Sequence, residues 1–142
     1  MELIERLQDK NNTVAHSFLL ELEDKSTNSD ELYQYFDEFL KLIYNKSSFV
    51  RTRGFRLCCA QAKWDTENKI EKHIDELLIM LDYDKPTAVR QCLAALHILL
   101  IYKPDLNTKI QSKLKTMNLL KYKDSMSPLI KKDILELQQQ IH

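Results

Sequence analysis

Apolar residues recur along this chain at spacings of three and four, and short polar stretches interrupt them at nearly regular intervals, the signature of successive amphipathic helices. Leu3, Ile4 and Leu7 share one face of a short opening helix that Asp9-Lys10-Asn11-Asn12 breaks. Thr13 is placed to cap a second helix carrying Val14, Phe18 and Leu22. After the loop-forming run Ser26-Thr27-Asn28-Ser29-Asp30, the spacing of Leu32, Phe39, Leu40 and Ile43 predicts a helix over about 30–44. A further helix is predicted from Ser47 to about Lys63, with Val50, Gly54, Leu57 and Cys58 on its inner arc. Asp65 or Thr66 can cap the next, which carries Ile70, Ile74, Leu77, Leu78 and Leu81. Pro86 suits a first helical turn, because its missing N–H would be unpaired there, and the helix it opens runs through Val89 to Tyr102. Ile110, Leu114 and Met117 mark one more helix, and Ile130, Ile134 and Leu137 the last, opened by Ser125-Met126-Ser127-Pro128.

Val14, Val50, Val89 and Ile130 occupy matching places in this pattern, at separations of 36, 39 and 41 residues. The expected fold is therefore all-α, a right-handed α-α superhelix of about four helix pairs, in units over approximately 1–25, 30–63, 66–103 and 105–142. Composition agrees: one glycine and three prolines suit long helices and leave little for hairpin turns. A length of 142 residues is that of one domain. The longest apolar run, 92–102, is interrupted by His97 and is too short to cross a bilayer, and charged residues follow Met1 at once, so a cytoplasmic protein without membrane association is expected. Cys58, Cys59 and Cys92 are an odd number with two adjacent, which favours reduced core thiols over a disulfide framework.

The balanced net charge hides a gradient. Residues 1–46 carry five basic against ten acidic side chains, 47–63 four against none, 64–85 three against seven, and 86–142 nine against four. Advancing 100° per residue along the Val50 helix gathers Arg53, Arg56 and Lys63 on the arc opposite the core. The same angles on the Val89 helix bring out Gln91, Cys92, Ala95, Leu99 and Tyr102. A basic strip beside an apolar strip suits an acidic amphipathic peptide or helix, with Arg53, Arg56, Lys63, Leu99 and Tyr102 as partner-binding residues; a solvated face, one covered by a second copy, or a phosphate-bearing partner are the alternatives.

The run Asp82-Tyr83-Asp84, then Pro86, Val89, Arg90, Ala94 and Leu96, resembles the HEAT repeat, and the whole chain resembles small stand-alone bacterial HEAT-like proteins. The second unit keeps Val50, Arg51 and Leu57 with Ser47 in place of the proline; the first and fourth have Ala15 and Lys131 where the arginine falls. The resemblance implies that second helices line a concave face used as a protein-binding module or adaptor. It also implies that Arg51 and Arg90 lie between repeats, with Asp82 or Asp84 as partners. Trp64-Asp65 is similar to the aromatic and acidic pair of the HEAT-like bacterial alkylation-repair DNA glycosylases, which makes nucleic-acid binding or glycosylase activity the alternative function.

No chemistry beyond this is signalled. A lone glycine excludes phosphate loops and nucleophile elbows, and Gly54 is expected to allow close helix packing. His16, His73, His97 and His142 have no metal-site spacing. Cys58 and His97 are expected on the core side, and Cys92 beside Arg53, where a lowered thiol pKa would follow. No catalytic residue, cofactor or metal is expected, and a monomer or homodimer fits equally.

Overall fold

The computed structural model describes residues 1–141 and is all-helical. His142 and the end of the fourth unit lie outside the described residues. The helices are α1 (Glu2–Leu7), α2 (Asn12–Asn28), α3 (Phe36–Lys41), α4 (Ser48–Ala60), α5 (Lys69–Lys72), α6 (Ile74–Leu78), α7 (Pro86–Tyr102), α8 (Asn107–Thr116) and α9 (Ser127–Gln140). Tighter 3₁₀ turns fill the joints, notably Tyr33–Tyr35, Leu42–Tyr44, Ala62–Trp64 and Ile79–Asp82. The predicted helix over 30–44 is thus split into three short pieces, the one carrying Ile70 to Leu81 is likewise divided, and the one from Ser47 ends at Ala60.

The second helix of each predicted pair is the long one, and these four pack in sequence order: α2 on α4, α4 on α7, α7 on α9. Partners from the preceding segment back them, α1 on α2, α3 on α4, the Ile79–Asp82 turn on α7, and the Leu119–Lys121 turn on α9. Val50, Val89 and Ile130 are buried as the pattern requires, but Val14 is half-exposed and Ala15 replaces it inside. Asn11 caps α2 in place of Thr13, its side chain accepting from the Thr13 and Val14 amides. Ser47 caps α4 through the Val50 amide, and Pro86 opens α7.

Gly54 behaves as expected. A β-carbon there would lie 2.6 Å from Leu42 Cβ and 2.7 Å from the Phe39 carbonyl oxygen, so α4 approaches the α3 segment as only glycine permits.

Polar ties between segments follow one rule. Among the described residues, every side-chain hydrogen bond outside local turns joins positions between 31 apart, as in Lys113–Asp82, and 46 apart, as in Arg53–Leu7. Arg90 makes a two-pronged pair with Asp133, at 2.7 and 3.2 Å. Arg51 donates to the Asn45 and Lys46 carbonyls and lies 4.1 Å from the centre of the Tyr83 ring. Both arginines therefore reach the following segment, but neither uses Asp82 or Asp84, which bind Lys113 and Lys121 instead.

The most buried tie joins three segments. The Asp65 carboxylate caps α5 by accepting from the Lys69 and Ile70 amides, each at 2.9 Å. It also accepts from the Tyr33 hydroxyl at 2.6 Å and pairs with Lys103 at 3.1 Å. Burial pushes the carboxyl pKa up, but these four donors outweigh it and hold Asp65 below its ordinary value. Lys103 reaches Glu71 as well, at 2.9 Å.

Candidate functional site

Because α4 is packed between α2 and α7, the surface those three share is a groove of about 570 Å³. Its openness comes from small residues, Ala60 on α4 with Ala94 and Ala95 on α7. Beside them Ile98, Ile101 and Tyr102 supply a mainly apolar wall, with Ile101 62% and Tyr102 45% exposed. Glu23, Ser26 and Thr27 of α2 form the opposite side, and Lys63 stands in the Ala62–Trp64 turn. This is a pocket of ordinary ligand size, more apolar than polar.

Three of the five sequence-predicted residues, Arg56, Lys63 and Tyr102, meet at this groove. Arg56 is not free: its Nε and Nη2 hold the two oxygens of Glu23 at 2.9 and 2.7 Å, and Nη1 donates to Gln91 at 3.0 Å. Lys63 is exposed, with its ammonium 3.3 Å from the Thr27 carbonyl oxygen and 4.9 Å from the centre of the Trp64 ring. The groove therefore keeps one ammonium that no carboxylate neutralises among the described residues.

Arg53 and Leu99 are corrections. Arg53 is only 4% exposed and donates to the Leu7 carbonyl at 2.8 Å and to Asn12 Oδ1 at 2.9 Å. The turn between α1 and α2 folds over it, an event that the angular position of Arg53 on its own helix does not encode. Leu99 is fully buried, because α7 is rotated relative to the transferred angles so that Leu96, Leu99 and Leu100 face inward. Ile98 and Ile101, which that transfer passed over, take the place assigned to Leu99. The run from Cys92 to Tyr102 carried the signal for them, since it holds more apolar residues than one buried stripe uses.

Cys92 is also buried and lies away from the groove surface. Burial pushes its thiol up to about 12, and the nearby Arg56 and Arg51 only partly offset this. Burial likewise raises Cys58 and Cys59. The expected lowered thiol is thus replaced by three inert ones. Under native conditions a thiol-disulfide reagent is expected to label none of the three cysteines, with all three reacting once denaturant is added; native labelling within minutes would contradict this burial.

His97 is half-buried rather than a core residue and contacts Gln140 of α9. Trp64 donates from Nε1 to the Ser26 carbonyl at 2.7 Å, which ties the end of α4 to α2 as a boundary plug would. With Asp65 enclosed by its four donors, neither member of the Trp64-Asp65 pair is free in the groove. No cluster of metal-ligating side chains occurs among the described residues, and no helix there is long and apolar enough to cross a membrane. No protein-family model, curated protein or solved structure matches this chain.

Proposed function

We propose that this chain is a short HEAT-like solenoid, a right-handed superhelix of helix pairs, that serves as a non-enzymatic protein-binding module. The successive packing of α2, α4, α7 and α9 supports the architecture, as does the confinement of polar ties to one unit's separation. The observation that carries the function is the groove: an open apolar wall of Ile98, Ile101 and Tyr102 beside the unneutralised ammonium of Lys63.

The occupant that matches this chemistry is an acidic amphipathic helix. Its apolar face would cover Ile98, Ile101 and Tyr102, and a carboxylate would pair with Lys63. Arg56 contributes less charge than the sequence implied, because Glu23 already neutralises it.

A fluorescently labelled leucine- and glutamate-based amphipathic peptide is the probe, with a lysine-based counterpart as control. Polarisation is expected to show saturable binding of the acidic peptide alone, weakened about tenfold in Lys63→Glu, a loss of roughly 1.4 kcal/mol. Ala94→Trp, which fills the groove from an exposed position, is expected to abolish binding. Equal binding of both peptides, or indifference to Ala94→Trp, would remove the groove as the site. A concentration-dependent dimer that Ala94→Trp disrupts would make a second copy the occupant instead.

A further inference from the structure

We propose that a second hollow, at the N-terminal ends of α4 and α7, binds the phosphoryl group of a small phosphorylated ligand. It adjoins the peptide groove, with Gln91 lining both, and has a volume of about 380 Å³. Its lining residues include Arg53, Lys85 and His16 and no acidic residue. In a chain with as many acidic as basic side chains, that is a local excess of positive potential.

Arg53 carries the inference. Arg53 is 4% exposed, is among the residues that line the hollow, and has no ion pair among the described residues. Its described hydrogen bonds, to Leu7 and Asn12, engage two of the five N–H groups that an arginine offers. Such a cation is costly to bury unless something compensates it. Asp9 favours its charged form from a distance, while burial opposes it more strongly and lowers its pKa. An oxyanion entering the hollow would supply the missing counter-charge.

The helix ends reinforce this. Ser48 and Phe49 open α4, and Thr87 and Ala88 lie in the first turn of α7; all four line the hollow. Amides in the first turn of a helix have no partner within the helix, and the α7 cap position, Lys85, contributes no side-chain acceptor. The α4 end, whose Ser47 cap takes only the Val50 amide, and the α7 end lie beside a guanidinium that has no carboxylate partner among the described residues, so N–H donors and positive dipole ends face one space. The volume exceeds what one oxyanion fills, and Leu19 and Pro86 add apolar lining for the remainder of a small ligand.

The test is amide-resolved NMR of the full chain at constant ionic strength, titrated with inorganic phosphate, then with a sugar phosphate and with adenosine monophosphate. Saturable shifts centred on Ser48, Phe49, Thr87 and Ala88 are expected. Lys85→Glu, at an exposed position, is expected to weaken binding about tenfold by reversing a charge at the site. Arg53→Lys, which keeps the charge but loses the planar donors, serves as the second variant provided its circular dichroism is unchanged. Saturation by phosphate alone, with no gain from the larger probes, would identify the free anion as ligand; tighter binding of a larger probe would identify a phosphorylated metabolite. Shifts that do not saturate, that scatter over the lysine-rich last third of the chain, or that persist undiminished in Lys85→Glu overturn the proposal.

Discussion

Asp65→Ala is expected to destabilise the protein by about 3–5 kcal/mol, the range for removing one partner of a buried ion pair and leaving the other uncompensated. Here Lys103, 8% exposed, would keep Glu71 as its one carboxylate beside the residue-65 and Asn68 carbonyl oxygens, the α5 amides of Lys69 and Ile70 would lose their cap, and Tyr33 would lose its acceptor. The effect also has a pH signature. The native Asp65 carboxyl is held below its ordinary value, so its contribution is present above the unfolded-state pKa of about 3.9 and disappears as pH falls through the native value. Glu76, lowered chiefly by the Tyr44 hydroxyl, acts in the same direction. Urea unfolding at a series of pH values should show wild-type stability declining below about pH 4, with a shallower decline in Asp65→Asn. Identical slopes would remove Asp65 as the acid-sensitive element. The double substitution Asp65→Ala, Lys103→Met should cost less than the sum of its parts, because the stranded ammonium is gone.

The second large effect is expected from the smallest change. Alanine is the better helix former by about 1 kcal/mol, yet Gly54→Ala should lower stability. Its β-carbon would meet the Phe39 carbonyl oxygen, and backbone cannot rotate aside as a side chain does. Overpacking costs up to about 3 kcal/mol, leaving a net loss of about 2 kcal/mol and a fall in Tm of about 8 °C. Calorimetry decides it: a rise in Tm would mean that α3 can withdraw from α4 without loss.

The parts of this fold that were legible in the sequence rest on local chemistry. The long helices α4, α7 and α9 follow from apolar spacing, and two of their starts from Ser47 and Pro86. The partners of those helices were less legible. The stretch over 30–44 and the one carrying Ile70 to Leu81 look continuous by spacing, but both are divided into short helices and 3₁₀ turns, with ties such as Tyr33 to Asp65 made to other segments that apolar spacing does not encode. The candidate groove was legible by half. Arg56, Lys63 and Tyr102 are set by their angular positions on their own elements, whereas the burial of Arg53 depends on the α1–α2 turn 41 and 46 residues earlier. The inward rotation of Leu99 depends on how α7 sits on its neighbours. One-helix geometry contains neither relation.

The separation of 31 to 46 residues between polar partners also bears on how the chain can assemble. Each docking event closes a loop of about forty residues, and the entropy of that closure is the same for the last segment as for the first, because it depends on loop length and not on total length. Assembly can therefore begin at the α4–α7 seam and spread toward both ends, each arriving segment finding a finished surface. A longer chain built on the same rule would face no higher barrier per segment than this one.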